Sequence, residues 1–335
     1  MTAEAKASTK SWEQATLLIN GKKVEWGTTP LLFRGEENTV AVEAPDEIAR
    51  ELNLGLPEDG GLNIVASPAF GSWVARVNGK FEWKIKPDAG KSSRITLVFY
   101  SREILESWEH QSLVMSSNLA DEADVKIRGV AVPAEGNWFY RGAAQTVTLT
   151  PKPGSPLAGL PVTLTCEVKS GLDVANVVSA PVFGSAQTNT YSWAVTGKTK
   201  SGTFELRLAG KGMTTPITLA ISKLISSNLV DEAELYIDEI RPPAGDAEFI
   251  SGVHRRISLR AKNNSPIGSY PLMLSINVGD LLPGDISCSP TAGQVTTDHS
   301  WHVAARNRKG RFELVAMDKV GGEIATQLKL QCRAI

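Results

Sequence analysis

Ser116-Ser117-Asn118-Leu119-Ala120-Asp121-Glu122-Ala123 returns almost unchanged, 110 residues on, as Ser226-Ser227-Asn228-Leu229-Val230-Asp231-Glu232-Ala233. A fixed period of this size marks a chain built from similar units, each long enough to bury a core of its own. Three units of about 100 residues fit the 335 residues. They are expected at 15–115, 124–225 and 234–335, with linkers at 116–123 and 226–233 and a disordered tail at 1–14. Each linker reads as one helical turn capped by its serines and Asn118 or Asn228. The acidic residues fall in the first turn, where the helix dipole favours them, and Leu119 and Leu229 tuck between units.

Outward from the linkers, the units align on a second stretch. Phe33-Arg34-Gly35-Glu36-Glu37-Asn38-Thr39-Val40-Ala41-Val42 matches Tyr140-Arg141-Gly142-Ala143-Ala144-Gln145-Thr146-Val147-Thr148-Leu149 and Ile250-Ser251-Gly252-Val253-His254-Arg255-Arg256-Ile257-Ser258-Leu259. Each reads as an apolar plug, a glycine turn and an alternating strand. Further on, Trp83, Trp193 and Trp301 keep one phase in Phe81–Ile85, Tyr191–Val195 and His299–Val303. They read as core residues. After them a basic turn (Lys91-Ser92-Ser93, Lys200-Ser201-Gly202 or Arg308-Lys309-Gly310) leads into the next strand. Asn20-Gly21 is a strong hairpin signal.

The second unit gives seven strands: 125–130, 146–150, 162–168, 177–180, 191–195, 204–208 and 217–222. Seven short strands with Pro and Gly between them are what a two-sheet sandwich requires. The third unit repeats the order and ends in a strand at 327–332. The first departs from it at Pro45-Asp46-Glu47-Ile48-Ala49-Arg50-Glu51-Leu52, which reads as a short helical turn. In strand number, order and spacing the chain resembles the bacterial immunoglobulin-like domains that occur in tandem arrays. The predicted fold is all-β: three tandem seven-stranded immunoglobulin-like sandwiches in an elongated array. The resemblance implies a spacer, adhesive stalk or docking module. The Cys, Trp, Cys signature of antibody domains is absent.

Composition narrows the partners. Apolar residues make up 42% and charged residues 21%, as in a folded globular chain. With 35 basic and 36 acidic side chains, no net field draws the whole molecule to nucleic acid or an anionic membrane. The expected partner is a protein or a glycan. The sequence shows neither a secretory signal nor a membrane-spanning stretch. The expected location is the cytoplasm, or outside the cell by a route without a cleavable signal. Cys166, Cys288 and Cys332 are odd in number and read as buried free thiols.

Catalytic chemistry finds no foothold. There is no Gly-x-Ser-x-Gly elbow, the glycine pairs Gly60-Gly61 and Gly321-Gly322 read as turns, and the four histidines do not form a triad. His299 and His302 lie three apart on a strand and point to opposite faces, so they read as exposed or edge residues rather than zinc ligands. The expected role is a non-catalytic structural or interaction module. Its alternative is a component of an exported toxin, adhesin or appendage, or a lectin-like or enzymatic activity in the first unit.

Two groups remain as site candidates. Trp12, Trp26, Trp73, Trp108 and Trp138 are not shared between units, and four of them lie in the first. Together they would form an aromatic contact surface, set against a simply larger core. Asn118, Asp121 and Glu122, with Asn228, Asp231 and Glu232, offer oxygens at each joint that calcium could use. The competing reading is the capped helical turn alone. No other cofactor is expected.

Overall fold

The computed structural model describes residues 11–335 except Trp26, Pro243, Asn263, Asn307, Val320 and Gly321. The stretch 1–10 of the expected tail and half of the Gly321-Gly322 turn therefore lie outside the described residues. Ordered secondary structure reaches into the rest of that tail. Trp12–Gln14 form a 3-10 turn capped by the Ser11 hydroxyl, and Trp12 is buried.

Each unit is two antiparallel sheets packed face to face. In the second, one sheet aligns Ala123–Ile127, Ala144–Pro151, Ser192–Gly197 and Val177–Ala180, in that order. The other aligns Ser222–Ile225, Gly202–Gly210 and Val162–Ser170. Numbered along the chain, the seven main strands run 1-2-5-4 and 7-6-3, and the main strands of the first and third units do the same. This is the immunoglobulin strand order. The chain is a tandem array of immunoglobulin-like sandwiches.

Short strands widen these sheets beyond seven. Among the described residues the paired sheets hold five and five, five and six, and four and five strands. The plug segments Leu31–Phe33, Trp138–Tyr140 and Ala247–Phe249 each pair in parallel with the last strand of their unit. Three residues are too few for alternation to reveal them. The expected seventh strand at 217–222 divides into Ile217–Thr218 and Ser222–Ile225. At 45–52 only the start is a turn, closed by Ile48 and Ala49 N–H on the Pro45 carbonyl, both 3.0 Å. The chain is extended again from Glu51.

Burial follows the period of two. In Phe81–Lys86 buried and exposed residues alternate, with Phe81, Trp83 and Ile85 inside. Trp83, Trp193 and Trp301 are fully buried, one in each of three apolar clusters. Burying a tryptophan removes roughly 200 Å² from water, so each anchors its sandwich. The glycine turns also recur: Gly35, Gly142 and Gly252 have φ near 75° and donate to the carbonyls of Pro87, Gly197 and Ala305 at 2.8–2.9 Å.

One repeat escaped the sequence reading. Ser67-Pro68-Ala69-Phe70-Gly71, Ala180-Pro181-Val182-Phe183-Gly184 and Ser289-Pro290-Thr291-Ala292-Gly293 each follow the fourth strand and carry a cis proline. Their glycine N–H groups donate to the carbonyls of Leu54, Leu164 and Leu274, so the segment crosses to the opposite sheet at the same point in every unit.

Candidate interaction surface and joints

The linkers form as read. Leu119–Glu122 and Leu229–Glu232 are single helical turns. The Asn118 and Asn228 amide oxygens accept from Ala120 N at 3.1 Å and Val230 N at 3.2 Å. Leu119 and Leu229 are fully buried. Each joint is tied to the unit ahead. Leu119 N–H donates to the Thr215 carbonyl at 2.9 Å and Leu229 N–H to that of Thr326 at 3.1 Å. Lys152 and Lys262 donate to the helical turns from both backbone and side chain.

The glutamates of the joints face inward and backward, while Asp121 and Asp231 stay exposed. Glu122 is 1% exposed, and its Oε1 accepts from Ser116 N and Ser92 Oγ, both 2.7 Å, while Arg34 Nε lies at 3.3 Å. Glu232 repeats this with Ser226 N at 2.6 Å, Ser201 Oγ at 2.5 Å and Arg141 Nη2 at 3.2 Å, and it adds the Ser265 hydroxyl. Arg34 and Arg141 are the arginines of the aligned Phe33-Arg34-Gly35 and Tyr140-Arg141-Gly142. Ser92 and Ser201 belong to the aligned basic turns. The third unit has Ser251 in the arginine's place.

The joint oxygens named as calcium candidates take part in bonds within the chain. The Asn118 and Asn228 amide oxygens are used in capping, and Asp121 and Asp231 accept from the Ser116 and Ser226 hydroxyls. Oε1 of Glu122 and of Glu232 each accept from N–H and O–H donors. An arginine supplies the positive charge at each joint. Among the described residues no group of three or more His, Cys, Asp or Glu side chains could hold a metal ion.

Among the described candidate tryptophans only Trp12 and Trp108 meet. Trp12 and Trp108, each 7% exposed, stack on one another at 5.5 Å inside the first core, and Trp12 Nε1 donates to the Glu106 carbonyl at 2.8 Å. Trp138 packs edge-on against Tyr270 of the third unit at 4.8 Å, under the Lys223 ammonium, so it belongs to a joint. Trp26 lies outside the described residues. Among the described tryptophans only Trp73 is exposed, at 40%, with the Arg102 guanidinium 4.6 Å above its ring.

The sheet supplies neighbours for Trp73 that the sequence reading missed. Trp73 lies opposite Asn53, and Asn53 lies opposite Tyr100. Three adjacent strands therefore place Trp73, Asn53 and Tyr100 in one row on one face. Tyr100 is 43% exposed. The matching rows are Ala186, Thr163 and Ala209 in the second unit, and Val295, Met273 and Met317 in the third. Only the first unit makes an aromatic row. Period two marks Tyr100 as outward, but only register reveals that it shares a row with Trp73.

The remaining reactive groups are quiet. Burial pushes the Cys166 and Cys288 thiols up to about 11 and Cys332 to about 12, so all three are protonated near neutrality. Cys332 is buried, while Cys166 and Cys288 are half-buried. His302 is exposed, but His299 is 3% exposed, which corrects the expectation that both lie at the surface. His299 takes the place of Tyr191, and both fill a slot beneath the same loop. Tyr191 Oη donates to the Leu160 carbonyl at 2.8 Å, and His299 Nε2 sits 2.6 Å from that of Tyr270. No helix among the described residues is long and apolar enough to cross a membrane.

No protein-family model matches the chain, and no curated protein matches it. Among solved structures it is similar to the Escherichia coli adhesin FdeC, at 12% identity over 95% of this chain and 96% of that one, with a TM-score of 0.38. A fragment of intimin is 12% identical and is covered in full by 63% of this chain, with a TM-score of 0.24. An ectodomain fragment of ICAM-5 is 12% identical over 96% of this chain and 77% of its own, with a TM-score of 0.28. At those TM-scores the immunoglobulin-like assignment stands on the chain's own strand order.

Proposed function

We propose that the chain is a non-catalytic interaction rod of three units, divided at 116–123 and 226–233, whose first unit carries the recognition face for a protein or glycan. The observation that supports this reading is the row Trp73, Asn53 and Tyr100, flanked by Arg102 and without an aromatic counterpart in the other two units. Exposed aromatic rings present flat apolar area at little entropic cost, and a neighbouring amide and guanidinium orient a polar partner. The inter-unit bonds hold that face at a set distance from the third unit. This makes the rest of the chain a spacer.

The test uses the full chain on a glycan array and against an extracellular-protein library, beside a Trp73→Ala/Tyr100→Ala double variant. These side chains are solvent-facing, so the variant should melt close to wild type. Loss of at least about tenfold in affinity for the ligand found is expected, as for removal of a contact hot spot. Unchanged binding by the double variant would remove the recognition face from this row.

A further inference from the structure

We infer that the cavity between the first and second units is a binding site for a small amphipathic anion: an aliphatic or aromatic body carrying one carboxylate or sulfate. This site is separate from the Trp73 row and does not depend on it. The cavity is an open cleft of about 480 Å³, within the range of sites that hold a small organic ligand. It opens at the side of the first sandwich, where Lys22–Lys23 and Leu31–Phe33 are the edge strands of the two sheets. The second unit closes it with Leu160 and with Lys211 and Gly212.

Its floor is apolar. Ile19 and Leu113 come from the first unit and Leu160 from the second. Leu31 is only half-buried, although it packs on the second unit's core. Ile19, Leu113 and Leu160 are already buried, so the apolar surface that a ligand would remove from water is that of half-buried Leu31, with half-buried Val24 and Phe33 beside it.

The rim is cationic. Arg94 also lines the cavity, but its guanidinium is spent on the second unit, donating to the Ala158 carbonyl at 2.6 Å and the Pro156 carbonyl at 3.4 Å. Lys22, Lys23 and Lys211 line it with no carboxylate paired to any of them, and Glu25 is the single acid among the described lining residues. Elsewhere the chain pairs its cations readily, at the joints and along the third unit. The local imbalance also matches a regional one. The chain's net charge is −1, yet residues 124–225 hold ten basic and five acidic side chains. Three unpaired ammonium groups around an apolar floor fit a ligand with an anionic head and an apolar body better than a neutral ligand or a cation.

Calorimetric titration of the full chain with octanoate, octyl sulfate and octanol, each below its aggregation limit, tests this. Both anions should saturate a single site, with octanol weaker by at least about tenfold. The exposed-lysine triple variant Lys22→Glu, Lys23→Glu, Lys211→Glu should bring the anions down to the octanol level. The corresponding Gln variant should fall between, and a melting curve close to wild type confirms that each is folded. Binding of one anion and not the other supports the site and identifies its head group. The proposal is overturned if neither anion saturates below about 1 mM, if octanol binds as well as the anions, or if the triple variant binds them unchanged.

Discussion

His299 puts a buried imidazole where the first and second units have Phe81 and Tyr191. A carbonyl only accepts, so the 2.6 Å contact to Tyr270 requires a proton on Nε2 of the imidazole. Burial holds its pKa below the usual histidine value, although the Tyr270 carbonyl and Asp298 pull the other way. A histidine with a depressed folded pKa takes up its proton more readily when unfolded. Stability is therefore complete above the unfolded value of about 6.5 and is lost as pH falls through it. His110, half-buried beside Trp108, is shifted in the same direction by burial and contributes in the first unit. Replacing His299 by Tyr copies the second unit's solution and removes the group that titrates. Urea unfolding at pH 7.5 and pH 5.0 should show a smaller acid loss in His299→Tyr than in wild type. An equal loss would assign the acid sensitivity to other groups. The sequence alone could align His299 with Tyr191 but could not bury it, because a histidine on a strand end is as often outside as in.

At the scale of elements, the sandwiches were legible and the joints only half so. Period two, the phase of Trp83, Trp193 and Trp301, and the glycine turns all reflect local backbone geometry, and local geometry is written in adjacent residues. The three-residue plug strands were not legible, because parallel pairing with a strand far along the chain leaves no local pattern. The joint was visible as the repeats around Arg34 and Arg141 and around Glu122 and Glu232, but their pairing joins residues 88 and 91 apart in sequence. That pairing makes a specific energetic prediction. Glu232 is almost wholly buried, and Arg141 Nη2 is shared between it and Asp231. Arg141→Ala leaves a buried carboxylate without its counter-charge, and breaking such pairs costs roughly 3 to 5 kcal/mol. The Arg141 side chain is 21% exposed, so about 2 to 3 kcal/mol is expected here. Glu232→Gln in the same background keeps acceptors for Ser201 and Ser226 without a charge, and should recover about half of that loss. A double-mutant cycle by chemical denaturation measures the coupling. A coupling near zero would mean that the serines, not the arginine, hold the carboxylate.

In the whole molecule the two joints share a plan but not a strength. At the second, Tyr140 Oη of one unit meets Tyr270 Oη of the next at 3.1 Å, and Tyr270 donates to buried Asp318 at 2.7 Å. Trp138 packs on Tyr270, Lys223 Nζ reaches Ser269 Oγ at 3.0 Å, and Arg128 pairs with Glu323 across the boundary. At the first joint Phe33 stands in the place of Tyr140 and Leu160 in that of Tyr270, so this tyrosine chain is missing; Arg94 crosses to the Pro156 and Ala158 carbonyls, and a cavity opens beside it. Buried hydrogen-bonded chains allow one geometry, whereas apolar contact beside a void allows several. The chain should therefore bend at the first joint more than at the second. The Leu119 and Leu229 amides report this directly, since they make the same bond to the unit ahead, on Thr215 and Thr326. Hydrogen exchange should be faster at Leu119 than at Leu229. Tyr270→Leu, which copies the first joint's residue into the second, should speed exchange at Leu229 and leave Leu119 unchanged. Equal protection in the wild-type chain would mean that the shared helical turn and its arginine, rather than the tyrosine chain, set the stiffness of both joints.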